Sequence, residues 1–342
     1  MIDKKLLDSL RNSNNLYIWG HGSYSIEITN ILEENNISYL GYYVDNSTGR
    51  DKTEYNIDEL RAKHQKIDII FGHGHYEKIK ELDRQFIKNV YIIANPYKQY
   101  QLRKSLFDNY DTYKEEIKKR TDDEISRQAI EIFFEVQNDP STINKLIDQE
   151  SLSIGNMFCI NELKIGKSES YVDVGAYIGD TIQKYIEIFK TYKNIWAFEP
   201  EPHSYNVMLE NCKEYHHIQF YNIGLAEKKG KLLLESTNIQ SAHFVQGSNE
   251  NTITVPVDTL DNILEDEEIS LIKIFTPFFQ RKILEGATNI LKTKSPRMII
   301  NVGTNIEDLL SIMDLLTECC SKYRFLLRYD FPMPTRLFLY AY

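Results

Sequence analysis

Short apolar runs alternate with amphipathic stretches over the first part of the chain. The runs "NLYIWG", "ISYLGYYVDN", "KIDIIFGHG" and "NVYIIANP" have the character of buried strands, and "IEITNILEENN" has apolar residues at helical spacing. Strands that are separated by connections long enough for a helix pair in parallel. The pattern therefore predicts a small Rossmann-like α/β domain over residues 1–97.

Helical spacing replaces the strand pattern between residues 98 and 168. In "TDDEISRQAIEIFFEVQNDP" the apolar positions keep to one broad face, and Asn-Asp-Pro ends the helix. Thr121 and Glu124 have the spacing of a capping box, which predicts that the Thr121 side chain accepts a hydrogen bond from the Glu124 amide. We interpret residues 98–168 as a helical connector.

Strands return from residue 169 to the end of the chain. The main ones are "SYVDVG", "NIWAFEP", "IQFYNIGLA", "SLIKIF", "RMIINVG", "KYRFLLRYDF" and "TRLFLYAY", with "KKGKLLLES" and "TITVPVDTL" as additions before the fourth. The link between the last two is too short for a parallel crossover, so they should form an antiparallel hairpin. Residues 169–342 are predicted to form a seven-stranded, mostly parallel sheet with an antiparallel last strand, which resembles class I methyltransferases.

Composition narrows the range of functions. The 342 residues are 42% hydrophobic and carry a net charge of −10, which argues against a nucleic-acid or anionic-membrane partner because phosphate affinity comes from clustered Lys and Arg. No apolar run approaches the roughly 20 residues of a membrane helix. The four cysteines form no CxxC pair and suit reduced thiols. We therefore expect a cytoplasmic protein, and homo-oligomer formation is left open.

The turn after "YVDVG" carries the clearest binding motif. A strand ends at Asp173, turns through Gly175 and Gly179, and opens a helix at about Asp180, where free amides and close backbone approach suit a ligand. The carboxylate of Asp173 would repel a pyrophosphate but would tolerate the amino-acid end of a sulfonium cofactor. Glu199 ends the next strand, where an acid usually binds ribose hydroxyls. The alternative is that both acids are merely solvated strand ends.

Five motifs together indicate a family. "YVDVGAYIGDT", "AFEPEPHSYNVMLENC", "NIGLAEKKGKL", "VPVDTLDNIL" and "LIKI…LEGA" follow the order found in the FkbM family of S-adenosylmethionine-dependent methyltransferases, which the chain resembles over about residues 121–342. The resemblance implies S-adenosylmethionine as cofactor and O-methylation of a glycan or small metabolite in surface-polysaccharide or secondary-metabolite synthesis. It implies that Asp173, Gly175 and Gly179 line the methionine part of the cofactor, that Glu199 binds its ribose, and that Asn222 and Ile223 lie near the adenine. The predicted cofactor-binding residues also include Ala176, Tyr177, Asp180, Thr181, Pro200 and Phe275.

The chain departs from this family at one motif. Members usually have "IKxDxEGxE" followed by "LxGA"; here Lys273 is in place and "LEGA" fits the downstream end. Four positions between them differ, where the family has Asp, Glu, Gly and Glu in that order: they are Phe275, Pro277, Phe278 and Gln280. The carboxylates are absent while the strand and the helix are kept. We interpret this as a site rebuilt in place.

The loss of these acids leaves three hypotheses open. The protein could methylate a substrate whose nucleophile needs little help or whose base lies elsewhere, with His243, Asp258 and Thr276 as candidate catalytic residues. Asp261 is a further candidate base, or it caps the helix that follows it. Alternatively, the domain binds cofactor or substrate without turnover, or it catalyses another reaction. Phe275 cannot act as a base, but an aromatic face can stabilise a sulfonium by cation–π contact.

The first domain has an incomplete nucleotide-binding pattern. Gly20 and Gly22 follow a strand, Asp45 ends the next strand, and Ser25 stands where a third glycine is usual. A nucleotide or nucleotide-sugar could lie across this turn, or the turn is kept only for packing. The "GHGH" pair of histidines, His73 and His75, has no nearby Cys or acid to complete a ligand set, so no metal site is predicted.

Overall fold

The structure is a computed structural model, and the chain divides into two compact units. The residues that it describes are 4–44, 53–72, 78–79, 82–93, 110–138, 142, 145–146, 152–166, 168–235, 243–245, 252–330 and 334–342. Unit 1 comprises residues 1–107, 131–153 and 331–334; unit 2 comprises residues 108–130, 154–330 and 335–342. The predicted domain boundaries at residues 97 and 168 stay predictions.

Unit 1 contains a five-stranded sheet in which all the neighbouring strands are parallel. Its strands, in the spatial order β3-β2-β1-β4-β5, are β1 Leu16–Trp19, β2 Tyr42–Tyr43, β3 Glu54–Tyr55, β4 Ile67–Phe71 and β5 Ile87–Tyr91. Its first helices are α1 Lys4–Arg11, α2 Ser23–Glu34 and α3 Ile57–Lys63. The central strands β1 and β4 are buried at every position, as expected for parallel strands.

Unit 2 contains two sheets. Its strands are β6 Ser170–Val174, β7 Asn194–Phe198, β8 Ile218–Tyr221, β9 Gly224–Leu225, β10 Gly230–Glu235, β11 His243–Val245, β12 Thr252–Asp258, β13 Leu271–Ile274, β14 Arg297–Asn301, β15 Phe325–Tyr329 and β16 Leu337–Ala341. The larger sheet has the order β15-β16-β14-β13-β6-β7-β8, and β16 runs antiparallel to both of its neighbours. The prediction of a seven-stranded, mostly parallel sheet with an antiparallel last strand is confirmed. The smaller sheet has the order β11-β10-β12-β9.

Helices connect these strands. They are α4 Tyr110–Arg120, α5 Glu124–Asn138, α6 Asp180–Phe189, α7 Pro202–Cys212, α8 Leu260–Leu264, α9 Gln280–Glu285, α10 Thr288–Lys294 and α11 Leu309–Cys319. The division between the two units falls within α5. In the described part of the chain, no helix combines the length and the apolar character that a membrane span requires.

The capping box predicted for α5 is wrong. Asp123 directly precedes the helix, and its Oδ1 accepts a hydrogen bond of 2.8 Å from the amide of Ser126, three residues on. Thr121 instead donates its hydroxyl to the carbonyl of Lys118 at the end of α4. Because the cap must be the residue at the helix boundary, Asp123 takes the role that the spacing indicated for Thr121.

Candidate active site

The carboxyl ends of the parallel strands bring the predicted residues of unit 2 to one edge of the larger sheet. Asp173 lies near the end of β6, while Glu199, Asn222 and Phe275 directly follow β7, β8 and β13. Because β16 runs the other way, Arg336, just before that strand, lies at the same edge. Open α/β sheets bind ligands at this edge, so it is the candidate active site.

The carboxylate of Asp173 is engaged within the chain. Asp173 is 0% exposed, and its Oδ1 lies 2.7 Å from Nζ of Lys273, its register partner on the neighbouring strand β13. Its Oδ2 accepts a 2.5 Å hydrogen bond from the hydroxyl of Thr181. Lys273 also donates to the carbonyl of Gly175, at 2.8 Å. Both carboxylate oxygens therefore have partners in the protein, and contact of Asp173 or Thr181 with a cofactor stays a prediction.

The glycines of the turn are required by packing. Gly175 has φ +73°, and a Cβ there would collide with the carbonyl oxygen of Phe275. Gly179 has φ +82°, and its Cβ would lie 2.7 Å from Sγ of Cys212 on α7. The turn thus fits closely against the loop after β13 and against α7. Asp180 begins α6 as an exposed residue, whereas Ala176 is buried.

Glu199 holds the backbone of the same turn. Its Oε2 accepts from the amide of Tyr177 at 2.8 Å, and its Oε1 accepts from the amide of Glu201 at 2.9 Å. The side chain of Asn222 donates to the carbonyls of Glu199 and Pro200. Burial raises the pKa of Glu199 to about 7, despite these two amide donors, which favour the ionised form. Glu199 therefore titrates near neutral pH.

The loop between β13 and α9 has an aromatic residue covered by a cation. The guanidinium carbon of Arg336 lies 4.8 Å from the ring centroid of Phe275, and the ring of Phe338 meets Phe275 edge-on at 5.7 Å. Arg336 is held by a two-point ion pair with Asp330, which is 1% exposed. The cation against Phe275 is thus the protein's own. Contact of Phe275 with a sulfonium stays a prediction.

The tertiary structure shows the backbone conformation at one substituted motif position and the hydrogen-bond partners at another. Phe278, where the family has Gly, has φ +62° and so keeps the left-handed backbone that favours glycine. Gln280, where the family has Glu, is 1% exposed and donates to the carbonyl of Asn301 at 2.8 Å and to Thr304 Oγ1 at 3.2 Å. An amide can donate to these acceptors and a carboxylate cannot, while the Oε1 of Gln280 is buried with no hydrogen-bond partner among the described residues.

Thr276 has the one candidate catalytic side chain that lies in this loop. Its Oγ1 is buried and has no hydrogen-bond partner among the residues that the structure describes. Its Cγ2 would lie 3.0 Å from a Cβ at Gly175, so the residue borders the turn after β6. Five other buried side-chain atoms in the described chain also lack a partner, among them the hydroxyls of Tyr171, Tyr185 and Tyr340, so what distinguishes Thr276 is its place beside the Gly175 turn. A buried hydroxyl of this kind can be satisfied by a water or a ligand.

Asp258 is engaged at the start of α8. Its Oδ1 accepts from the amide of Thr259 at 2.9 Å and from the side chain of Asn262 at 2.8 Å, and Lys229 lies 3.1 Å from its Oδ2. Partial burial opposes ionisation, but the hydrogen bonds from Asn262 and Thr259, together with Lys229, hold the pKa of Asp258 below its ordinary value. A carboxylate with a lowered pKa is a poor general base at neutral pH.

The other two candidates are placed differently. Asp261 accepts from the amides of Asn289 and Ile290 at 2.9 Å each, so it caps α10. The interpretation that it caps the helix following it was wrong, because Thr259 caps α8. The backbone of His243 pairs with Glu235 on β10, while its side chain lies outside the described residues.

The glycine-rich turn of unit 1 is closed by a serine. Gly20 has φ +100° and donates its amide to Tyr43 at 2.7 Å, and Gly22 is the N-cap of α2. Ser25, at the third glycine's position, is 0% exposed and donates its hydroxyl to Gly72 at 2.8 Å. The close contact between α2 and the end of β4 is thus made possible by Gly72, where a Cβ would lie 2.7 Å from the Ser25 hydroxyl. A nucleotide at this turn stays a prediction.

Three residues named from the sequence in unit 1 lie outside the described part of the chain: Asp45, His73 and His75. Among the residues that are described, no group of three or more His, Cys, Asp or Glu side chains could hold a metal ion.

Comparison with known proteins identifies the class and then the family. The fold matches the crystal structure of methyltransferase FkbM from Methylobacillus flagellatus KT with a TM-score of 0.69 over 99% of this chain and 92% of that one, at 15% identity. Unit 2 is thus a class I methyltransferase fold. Residues 173–323 match the family model described as Methyltransferase FkbM domain. The FkbM prediction from the motifs is confirmed over residues 173–323.

Part of the chain also resembles a named sugar methyltransferase. A segment of 154 residues is 26% identical to the hexuronic acid methyltransferase AglP of Haloferax volcanii. That segment covers 43% of this chain and 64% of the relative, so the chain spans less than two thirds of that protein.

Proposed function

We propose that this protein transfers a methyl group from S-adenosylmethionine to a hydroxyl group of a sugar, in polysaccharide biosynthesis. The FkbM domain and the class I fold support methyl transfer. The main observation that supports the proposal comes from the place where the Gly175 turn contacts the loop after β13. There the buried Oγ1 of Thr276 has no partner in the described chain, and a bound ligand would satisfy it.

The edge of the larger sheet offers groups for each part of the cofactor. Glu199 would accept from ribose hydroxyls, and Asn222 and Ile223 at the end of β8 would border the adenine. The backbone from Gly175 to Thr181 would hold the methionine part. The cofactor supplies the methyl group on a sulfonium, and the protein supplies binding and orientation.

Catalysis in this proposal depends chiefly on positioning. Phe275 and Pro277 carry no acid or base, and Asp258 is a poor base because its pKa is lowered. Holding two reactants in line can by itself contribute about 7–11 kcal/mol to lowering a barrier. The hydroxyl of Thr276 is the group of this chain that would bind the acceptor or the cofactor next to the reacting atoms.

Two observations support a proposal for the acceptor class, one from the relative and one from a side chain. AglP is named for a hexuronic acid, which is a sugar with a carboxylate. Arg336 has 24% of its side chain exposed beside the ring of Phe275. The guanidinium of Arg336 is paired with Asp330, and the part of it that is exposed would attract the carboxylate of such a sugar. We therefore propose an acidic sugar as the acceptor.

A second candidate function is cofactor binding without turnover. It is favoured by the aromatic residue at position 275, where the family has an acid, and by the engagement of both oxygens of Asp173. Substitution Phe275→Asp separates the two functions. An active site should lose activity because the new acid would be buried beside aromatic rings, whereas a site retired for lack of that acid should gain activity.

The experiment combines binding and turnover. Titration calorimetry with S-adenosylmethionine and S-adenosylhomocysteine should give micromolar-range binding that Glu199→Ala greatly weakens. Transfer of a labelled methyl group should occur to oligosaccharides that contain hexuronic acid and not to neutral ones, which serve as the control. Binding without transfer to any acceptor would favour the second candidate. Absence of binding to both ligands would refute the proposed function.

A further inference from the structure

Lys273 is a charged side chain in the interior of unit 2. It is 1% exposed on β13, which lies between β6 and β14 in the larger sheet. Taking an ammonium group out of water carries a penalty of several kcal/mol that only excellent partners offset. Lysine at this position therefore calls for a specific role for its Nζ group.

The partners of Nζ all belong to the candidate active site. Nζ lies 2.7 Å from Oδ1 of Asp173 and donates to the carbonyl of Gly175 at 2.8 Å, and it is 5.7 Å from the ring centroid of Phe275. An ion pair needs only the first of these contacts. The second fixes the orientation of a peptide group at the left-handed residue of the turn.

The contact between Lys273 and the Gly175 carbonyl is linked through the turn to Glu199, the residue proposed to bind ribose. The peptide that contains the Gly175 carbonyl also contains the Ala176 amide, which donates to Phe198 at 3.0 Å. The next amide, of Tyr177, donates to Glu199 at 2.8 Å. Successive hydrogen bonds thus connect Lys273, through the backbone of the turn, to the carboxylate of Glu199, which is proposed to bind ribose.

We propose that Lys273 is a positioning residue of the cofactor site. It holds the Gly175 carbonyl so that the turn keeps the shape that a cofactor needs, and Asp173 acts through Lys273 without touching the ligand. This inference rests on the proposed function, because it specifies how the same site is built. It also explains why the Oδ1 of Asp173 is engaged inside the protein.

The test uses a single and a double variant. Lys273→Met leaves the Asp173 carboxylate buried without its cation, which is strongly destabilising, so it can fail to fold. The double variant Asp173→Asn with Lys273→Met removes both charges and should unfold at a higher temperature than the single variant. We expect it to bind S-adenosylhomocysteine about 10- to 100-fold more weakly than the wild type, since a hydrogen bond from a charged donor is lost. The KM for S-adenosylmethionine should rise while the KM for the acceptor stays the same.

A matched control comes from another ion pair in unit 2. Arg328 on the outermost strand β15 pairs with Asp123 and is 4% exposed. The double variant Asp123→Asn with Arg328→Met should lower stability and leave the affinity for S-adenosylhomocysteine unchanged. Wild-type affinity in the folded Asp173→Asn, Lys273→Met variant would overturn the inference and leave the proposed function standing. No binding by the wild type would overturn both.

Discussion

Phe278 provides the sharpest prediction about the rebuilt loop. Its φ of +62° lies in the left-handed region, which costs a residue with a Cβ about 1–2 kcal/mol relative to glycine. In helices and strands, glycine lowers the free energy of unfolding by about 0.5–1 kcal/mol relative to alanine, because it loses more conformational entropy on folding. The first effect exceeds the second at this position.

Comparison of two variants isolates the backbone contribution. Phe278→Ala and Phe278→Gly both remove the half-buried ring, so the loss of packing is nearly common to them. Only the glycine variant relieves the left-handed strain. We expect Phe278→Gly to be more stable than Phe278→Ala by about 0.5–1 kcal/mol, which is the reverse of the usual order.

A buried residue inside the following helix is the control. Ile283 lies within α9 and is 1% exposed, so its backbone is helical and has no left-handed strain to relieve. There the usual order should hold, with Ile283→Ala more stable than Ile283→Gly by about 0.5–1 kcal/mol. The pair of positions therefore distinguishes a backbone effect at position 278 from a general preference for glycine.

Urea unfolding followed by tryptophan fluorescence provides the measurement. The chain has two tryptophans, Trp19 in unit 1 and Trp196 in unit 2, and both are buried. In a Trp19→Phe background the signal reports on unit 2 alone, so the transition can be assigned to the unit that contains the loop. If alanine is as stable as glycine at position 278, the backbone there does not have the left-handed conformation and the reasoning is refuted.

Three further predictions concern Gln280 and Glu199. Gln280→Glu restores the family residue but buries a carboxylate against the carbonyl of Asn301, so unit 2 should lose about 2 kcal/mol or more of stability. This loss should exceed the loss caused by Gln280→Met. Equal urea midpoints for the two variants would contradict the prediction. Because the pKa of Glu199 is about 7 and its ionised form is the one expected to accept from ribose hydroxyls, the affinity for S-adenosylhomocysteine should rise about tenfold between about pH 6 and pH 8 and level off above. Calorimetry on Glu199→Gln, the control, should give an affinity that does not change with pH. Since folding raises this pKa, the contribution of Glu199 to stability should decline as the pH rises from about 4.5 to about 7, and pH-independent unfolding relative to Glu199→Gln would count against it.

Local patterns were sufficient to predict the strands of the larger sheet. Continuous apolar runs such as "SYVDVG" and "RMIINVG" correspond to β6 and β14, and the short link after "KYRFLLRYDF" correctly indicated the antiparallel pair β15 and β16. The motif order identified the FkbM domain. These features are encoded by neighbours in the chain, since burial on both faces and loop length are properties of a continuous segment.

The partners of polar side chains were decided only by the tertiary structure. Asp173 could be recognised as a residue of the turn, but its pairing with Lys273 depends on β13 lying next to β6. In the same way the sequence indicated Asp261 as a base or a local cap, and the fold brings it to the amides of α10.

The physical reason is the short range of these contacts. A hydrogen bond or buried ion pair forms only when two groups come within about 3 Å in a fixed orientation, and chain order does not specify which distant groups do so. The sequence by itself therefore determined the strands, the glycine-rich turn and the match of residues 173–323 to the FkbM domain. Only the packing of β13 against β6, and of the following loop against Gly175, decided which groups inside the protein the acid of the turn contacts.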